Sequence, residues 1–110
     1  MNYFDLGYYD NKLLHLIGGK YINGTIALFL LNNNVEYAEI TMYNKKLKLS
    51  DGYLLLNSNM NDKLKKFLIK KNIFKIVKTI NEFEIAMINK NVYDKIFYLL
   101  ESIKQKNNSI

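Results

Sequence analysis

Short apolar segments separated by asparagine- and glycine-rich turns constrain the fold of this chain more than any other feature. Asn23-Gly24 lies between two such segments, and this dipeptide favours a two-residue type I′ hairpin because both residues tolerate positive φ. A polar turn at Asn32–Asn34 precedes Val35–Met42, in which apolar and polar side chains alternate. This spacing predicts antiparallel strands joined by tight turns.

Further strands are predicted on both sides of these turns. Leu13–Ile17 is predicted to be the first strand, and the paired glycines Gly18-Gly19 after it predict a bulge or a tight turn. Thr25–Leu31 is almost entirely apolar, which is typical of a central strand buried on both faces. Tyr53–Leu56 is a short apolar segment after a turn, and we expect it to form the fourth strand.

One amphipathic segment follows these strands. Apolar side chains recur there at i, i+4, i+7 and i+8, in Met60, Leu64, Phe67 and Leu68. This spacing predicts a helix with one apolar stripe. Ser58 or Asn59 is the expected N-cap, Asp62 in the first turn complements the helix dipole, and Asn72 is the expected end.

The last third of the chain predicts a second hairpin and a second helix. Phe74–Ile80 and Phe83–Ile88 are predicted strands, and a helix is expected from Val92 to about Lys106, capped by Asn89 or Asn91. The resulting order is β-β-β-β-α-β-β-α. It predicts an α+β domain over residues 1–110, with an antiparallel sheet of about five or six strands and two helices packed on one face.

The net charge of +6 is confined to one segment, Asp62–Lys78, which holds seven lysines and one acid while the rest of the chain sums to zero. Three of these lysines lie on the outward side of the predicted helix and two in the strand after it: Lys63, Lys66, Lys70, Lys75 and Lys78. If that strand packs beside the helix, these five predicted binding residues form a continuous basic strip for an acidic protein or for phosphates. The alternative is the solvated face of an ordinary amphipathic helix.

The chain contains no arginine, so all sixteen basic residues are lysines. Arginine is the preferred group for bidentate phosphate and guanine recognition, whereas lysine acts as a point charge. Sequence-specific reading of nucleic acid is therefore disfavoured. The same lysine- and asparagine-rich composition is typical of AT-rich genomes, which weakens any argument from the total charge alone.

Catalytic and metal chemistry find little support in the sequence. Cysteine is absent, which excludes disulfides, thiolate metal sites and thiol nucleophiles. His15 is the only histidine and is predicted to be structural, because no second histidine or thiolate is present to complete a zinc site. Glu82 and Glu84 form the one carboxylate pair that would suit acid/base catalysis, yet such a pair on a strand face is ordinarily solvated. We expect no catalytic residues, cofactor, metal or small-molecule substrate.

The longest apolar run, Ile26–Leu31, is too short to span a membrane, which takes about 20 residues. Asp5 and Asp10 near the N-terminus, with no basic cluster before an apolar stretch, also argue against a secretory signal. We therefore expect a protein of the host cell cytoplasm with no membrane contact.

Tyrosines are concentrated in the N-terminal half of the chain, at positions 3, 8, 9, 21, 37, 43 and 53. Tyrosine is enriched at protein interfaces, because it offers a large contact area and a hydroxyl group at low entropic cost. The competing explanation is again the AT-rich codon bias. An interface that includes exposed tyrosines is therefore one of two open interpretations.

Residues 20–73 resemble an uncharacterised family of small proteins carried by phages and conjugative elements of anaerobic bacteria. The resemblance rests on Tyr21–Leu28, Val35–Met42 and Asn57–Asn61 with the helix that follows, whereas the family's C-terminal aromatic motif is not evident after Asn72. It implies a mobile-element context. By analogy with anti-CRISPR inhibitors from such elements, we expect a non-enzymatic protein that inhibits a CRISPR effector nuclease by direct binding. The partner would be a bacterial immune effector protein, with its guide RNA as a further contact.

Two other functions stay open at this point. A nucleic-acid-binding accessory protein would use the lysine strip on RNA, with an affinity that falls steeply with salt. A small enzyme would require a pocket around Glu82 and Glu84.

Overall fold

The computed structural model describes residues 3–97, which form seven strands and two helices. The strands before the first helix are β1 (Phe4–Tyr9), β2 (Lys12–Lys20), β3 (Ile26–Asn32), β4 (Val35–Glu39) and β5 (Tyr53–Leu55). The remaining elements are α1 (Asp62–Lys70), β6 (Phe74–Ile80), β7 (Phe83–Ile88) and α2 (residues 90–97). The part of the second predicted helix beyond residue 97 lies outside the described residues.

The strands form two antiparallel sheets rather than one. The first sheet has the order β1-β2-β3-β4 and the second has the order β5-β7-β6, and a bridge between Thr41 and Leu56 links them. The α+β class with antiparallel pairing is confirmed, but a single sheet of five or six strands is wrong. One strand, β1, was missed because its pattern is interrupted at a bulge, where Gly7 adopts a φ of +75°.

Paired residues with positive φ form two of the hairpin turns in the first sheet. Asp10 and Asn11 have φ values of +51° and +62°, and Asn33 and Asn34 have values of +53° and +64°. Two consecutive positive φ values define the type I′ turn, whose twist matches that of the flanking strands. The polar turn predicted near Asn32–Asn34 is therefore confirmed, whereas the turn at Asp10-Asn11 was not predicted.

The turn around Asn23-Gly24 differs from the predicted two-residue form. The Gly24 N–H donates to the Tyr21 carbonyl at 2.9 Å, and the Tyr21 N–H donates to the Thr25 carbonyl at 2.8 Å. Within this loop Gly24 alone has positive φ, +86°. This geometry belongs to a three-residue hairpin loop that ends in a left-handed residue. The Asn23 side chain stabilises this form of the loop, because its Oδ1 accepts a hydrogen bond from the Thr25 N–H at 3.1 Å.

Gly18 and Gly19 lie inside β2, so the predicted bulge or turn at this dipeptide is wrong. A Cβ atom on Gly18 would lie 2.6 Å from Cγ2 of Ile96 and 3.0 Å from Cζ of Phe97, whereas a Cβ on Gly19 would meet nothing within 4 Å. The missing side chain at Gly18 is therefore what lets α2 pack closely against the first sheet.

The core lies between both sheets and both helices. We call the side of the first sheet that carries Leu14, Leu16, Leu28 and Leu30 its inner face, and all four side chains are fully buried there. Leu64 and Leu68 of α1 belong to the same cluster. The opposite, outer face is not fully buried, since Phe29 and Leu31 of β3 are only half-buried. The prediction that this strand is buried on both faces is therefore wrong for its outer side.

Asparagine side chains cap both helices. The Asn61 Oδ1 accepts hydrogen bonds from the N–H groups of Lys63 at 2.8 Å and Leu64 at 3.3 Å, so Asn61 replaces the predicted Ser58 or Asn59 as the cap of α1. The Asn89 Oδ1 accepts from the Asn91 N–H at 2.8 Å, which makes Asn89 the cap of α2. Capping of this kind satisfies backbone donors that have no partner within the helix.

A polar cluster at the surface fixes α2 against the end of β2. Lys20 Nζ lies 2.7 Å from Asp51 Oδ1, and the Tyr93 hydroxyl donates to Asp51 Oδ2 at 2.6 Å. The Lys20 ammonium also lies 5.2 Å from the centroid of the Phe97 ring. Burial alone raises the pKa of Asp51, but the hydrogen bonds from Lys20 and Tyr93 and the charge of Lys20 together hold it below its usual value.

Candidate functional site

Three lysines form an exposed positive face on α1, which we call the α1 lysine face: Lys63, Lys66 and Lys70. Leu64 and Leu68 on the other side of the helix are buried in the core, so these lysines point towards solvent. Asp62 at the start of the helix is its only acid, and its Oδ2 lies 3.2 Å from Lys66 Nζ. The rest of this face has no described acid to neutralise it.

The other two lysines of the helical region have partners within the chain. Lys65 Nζ lies 2.8 Å from Glu84 Oε1, and this pair is partly buried. Lys71 Nζ lies 5.7 Å from the centroid of the Phe67 ring. The Lys65–Glu84 pair joins α1 to the second sheet, whereas the contact between Lys71 and Phe67 lies within the helical segment itself.

Lys75 and Lys78 do not continue this face, and we call them the sheet lysines. They pair across the ladder with Met87 and Ile85, whereas the core residues Ala86 and Ile88 occupy the alternate positions of β7. Paired residues project from the same face, and the bulge between Ile76 and Lys78 shifts the alternation, so both sheet lysines project from the face of the second sheet opposite to Ala86, Ile88 and α1. The expected continuous strip is therefore divided into two groups.

A cleft of about 320 Å³ lies beside the α1 lysine face, between the first sheet and the start of α1. Tyr9, Tyr37 and Asn61 are among its lining residues, and the Tyr9 and Tyr37 ring centroids are 6.5 Å apart. Lys63 Nζ lies 6.0 Å from the centroid of the Tyr9 ring. This cleft was not predicted, because it depends on the unpredicted strand β1, which brings Tyr9 against Phe67 of α1.

The tyrosines singled out in the sequence have different environments. Tyr3, Tyr8 and Tyr43 are exposed, with Tyr8 at 74% the most open of the three. The Tyr21 hydroxyl contacts Glu39 Oε1 at 3.1 Å and Thr41 Oγ1 at 2.9 Å. Burial raises the pKa of Tyr21, and the neighbouring Glu39 adds to this effect. The Tyr21 hydroxyl is therefore hydrogen-bonded within the fold, whereas the three exposed tyrosines present surface that a partner could contact.

The residues considered for catalysis or metal binding are not brought together. His15 lies against the Tyr3 ring at a centroid distance of 4.7 Å, and between residues 3 and 97 no cluster of three or more potential metal ligands occurs. Glu84 is ion-paired with Lys65, and Glu82 lies exposed in the turn between β6 and β7. This arrangement places the two carboxylates in separate environments.

No protein-family model matches this chain, and comparisons with curated proteins and with solved structures find no similar protein. The resemblance of residues 20–73 to a small-protein family of mobile elements therefore stays a prediction. Across residues 3–97, no helix has the length and apolar character needed to cross a membrane.

Proposed function

We propose that this chain is a non-enzymatic binding protein of a phage or other mobile element that inhibits a CRISPR effector nuclease by direct contact. The observation that carries this proposal is the α1 lysine face, an exposed group of three positive charges on a helix whose other side is anchored in the core. Surface charge of one sign steers and concentrates a partner of the opposite sign. An acidic surface of the effector protein is the proposed contact.

The division of the lysines favours a protein partner over a nucleic-acid strand. A strand that followed all five predicted binding residues would have to pass from α1 around the second sheet to reach Lys75 and Lys78. A protein surface can bind the α1 lysine face alone. Substitution of the sheet lysines then tests separately whether they contribute to binding.

The experiment first captures the partner and then measures inhibition of the partner's nuclease activity. The tagged chain is incubated with a bacterial lysate with and without nuclease treatment, the captured effector is identified and purified, and its DNA cleavage is measured against increasing inhibitor. We expect Lys63→Glu/Lys66→Glu/Lys70→Glu to abolish capture and inhibition. The matched control is Lys45→Glu/Lys46→Glu/Lys48→Glu, which makes the same charge change on exposed loop lysines without a described ion pair.

Retained inhibition by the α1 triple variant, with a circular dichroism spectrum like that of the parent chain, would refute the assigned contact surface. Equal loss in the triple variant and in its loop control would show that total charge, rather than position, governs binding. A separate Lys75→Glu/Lys78→Glu variant tests whether the sheet lysines contribute.

An RNA-binding accessory protein is the second candidate, and the cleft beside Lys63 is the observation that favours it. Aromatic rings next to a cation are the elements with which single-stranded nucleic acid is bound. Tyr9, however, already packs on Phe67 at a centroid distance of 4.9 Å, which occupies part of its ring. Recovery of RNA alone, lost after nuclease digestion or at high salt, would support this second function against the first.

A further inference from the structure

The outer face of the first sheet has an apolar centre that no described helix or further strand covers, and the Tyr3 ring packs on its His15. Ile17 pairs with Phe29, and His15 pairs with Leu31, so these four side chains project together from the middle strands β2 and β3. All four are half-buried rather than buried. Both helices contact the inner face instead, since the α1 leucines and the α2 contact at Gly18 lie on that side.

Acidic side chains border this apolar centre on both sides. Asp5 of β1 pairs with His15, and on the opposite edge Glu36 and Glu39 of β4 pair with Leu31 and Phe29. Partners in register project from the same face. The acids therefore form two margins, one on each edge strand of the sheet.

The strand lysines of the first sheet do not offset these acids, because they project from the inner side. Lys12 Nζ lies 5.9 Å from the ring of Tyr37 in the cleft, and Lys20 is paired with Asp51 beside α2. The charged strand residues of the outer face are thus all acidic, in a chain whose net charge is +6. A basic ligand that bound here would do so against the overall charge of the protein.

The spacing of the acidic margins matches the width of a helix. β1 and β4 are separated by three inter-strand spacings, or about 14 Å, whereas an α-helix with its side chains is about 10–12 Å wide. β3 has seven residues and is about 23 Å long, which equals about 15 residues of helix. Exposed Tyr8, on the same face beside Leu13, extends the apolar surface at one end.

We propose that the outer face of the first sheet is a docking surface for an amphipathic helix of a partner protein, with apolar residues on one side and lysine or arginine on both flanks. The apolar stripe packs on Phe29, Leu31 and Ile17, and the flanking cations lie against Asp5 on one margin and Glu36 on the other. This surface contains no residue of the α1 lysine face. The proposal therefore goes beyond the inhibitor contact and is tested independently of it. A second copy of the chain fits less well, since face-to-face pairing would bring two sets of acidic margins together.

The experiment uses a designed helical peptide as the probe. A labelled peptide of about 15 residues carries leucines at i, i+3, i+4 and i+7 and lysines on both flanks, and a matched peptide carries glutamates in place of the lysines. Fluorescence anisotropy measures binding of each to the full chain. We expect the lysine peptide to bind at least about tenfold more tightly than the glutamate peptide, the reverse of the order that the net charge alone predicts.

Variants locate the binding. Glu36→Lys, at an exposed edge position, is expected to weaken binding of the lysine peptide about three- to tenfold, because it replaces one attraction with a repulsion. Leu31→Thr keeps a side chain suited to a strand and is expected to weaken binding further. Lys66→Glu/Lys70→Glu on the opposite side is the control that leaves the affinity unchanged or slightly higher.

Three results would overturn the proposal. These are equal binding of both peptides, binding unaffected by Glu36→Lys and Leu31→Thr, and a concentration-dependent dimer in light scattering that Leu31→Thr dissociates. The last result would assign the outer face to a second copy of the chain. If the α1 lysine variants lose inhibition but still bind the peptide, the result would support the α1 lysine face as the inhibitor contact and the outer face as a separate docking surface.

Discussion

Gly18→Ala is the substitution whose outcome depends most directly on how α2 packs against the first sheet. The new methyl group would lie 2.6 Å from Ile96 Cγ2 and 3.0 Å from Phe97 Cζ, and both contacts are shorter than ordinary van der Waals distances. Gly19→Ala is a matched control, because it makes the same chemical change at the next residue and its methyl group would meet nothing within 4 Å. Neither glycine has positive φ, so backbone strain contributes to neither variant.

The expected difference between the two variants follows from two opposing terms. An added methyl group in a well-packed contact costs about 1–3 kcal/mol, whereas replacing glycine with alanine stabilises by about 0.4–1 kcal/mol through the unfolded state where the site permits. Gly18→Ala should therefore be destabilised by about 1–2 kcal/mol, and Gly19→Ala should be unchanged or slightly stabilised. Urea denaturation followed by circular dichroism measures both free energies of unfolding, and the Tm of Gly18→Ala should fall by at least about 4 °C.

A compensating substitution tests whether Ile96 is the cause. Leucine lacks the Cγ2 branch that makes the shortest contact, and an isoleucine-to-leucine change roughly conserves volume. Ile96→Leu should therefore cost less in the Gly18→Ala background than in the parent chain, and a double-mutant cycle measures this coupling. Equal stability of Gly18→Ala and Gly19→Ala, or a coupling of zero, would refute the proposed close approach of α2.

Three further predictions concern named contacts in the fold. Thr41→Val keeps the side-chain shape but removes the Oγ1 that accepts from the Leu28 N–H at 3.0 Å, so urea denaturation should show a loss of about 1–3 kcal/mol. Asn61→Ala removes the cap of α1 and should lower the free energy of unfolding by about 1 kcal/mol, whereas Asn61→Asp should restore it. The pKa of Asp51 is lowered in the folded state, so its contribution to stability is present above the unfolded pKa of about 3.9 and is lost as the pH falls through the folded value. Asp51→Asn should therefore flatten the acid limb of stability against pH below about pH 4, and Lys20→Gln should do the same if their ion pair is the source.

Local signals in the sequence were sufficient for much of the second half of the chain. The predicted strands Phe74–Ile80 and Phe83–Ile88 coincide with β6 and β7, and Asn89 caps α2 as one of the two expected candidates. These elements are specified by period-two alternation, helical spacing and short-range capping, all of which involve residues close in sequence. Asn61 was missed as the cap of α1 because several neighbouring polar residues can fill that role.

Features that depend on distant contacts were not predictable in the same way. The Gly18-Gly19 pair is ordinarily a sign of a turn, and only the approach of Ile96 shows that a missing side chain is needed within a strand. The division of the sequence into two sheets likewise depends on pairing between segments far apart, such as β5 with β7. Nothing in the local sequence specifies that choice of partner.

The basic segment shows how register determines which candidate residues can act together. Helical spacing correctly placed Lys63, Lys66 and Lys70 on the exposed side of α1. Whether Lys75 and Lys78 join them depends on which face of β6 points towards the core, and a shift by one residue would reverse that choice. The bulge between Ile76 and Lys78 further alters the alternation, so the sequence alone left the continuity of the strip undetermined.

Charge in this molecule is separated across the first sheet, and a variant with unchanged net charge can test the consequence. The α1 lysine face lies beyond the inner face, whereas Glu36 lies on the margin of the outer face. Exchanging the two signs in Lys66→Glu/Glu36→Lys leaves the total at +6. If the positions of the charges determine binding, this variant should bind both the captured effector and the lysine peptide more weakly, and each loss should equal that of the corresponding single variant because distant sites act additively. Unchanged binding of either ligand would show that the total charge, rather than its separation across the sheet, attracts that partner.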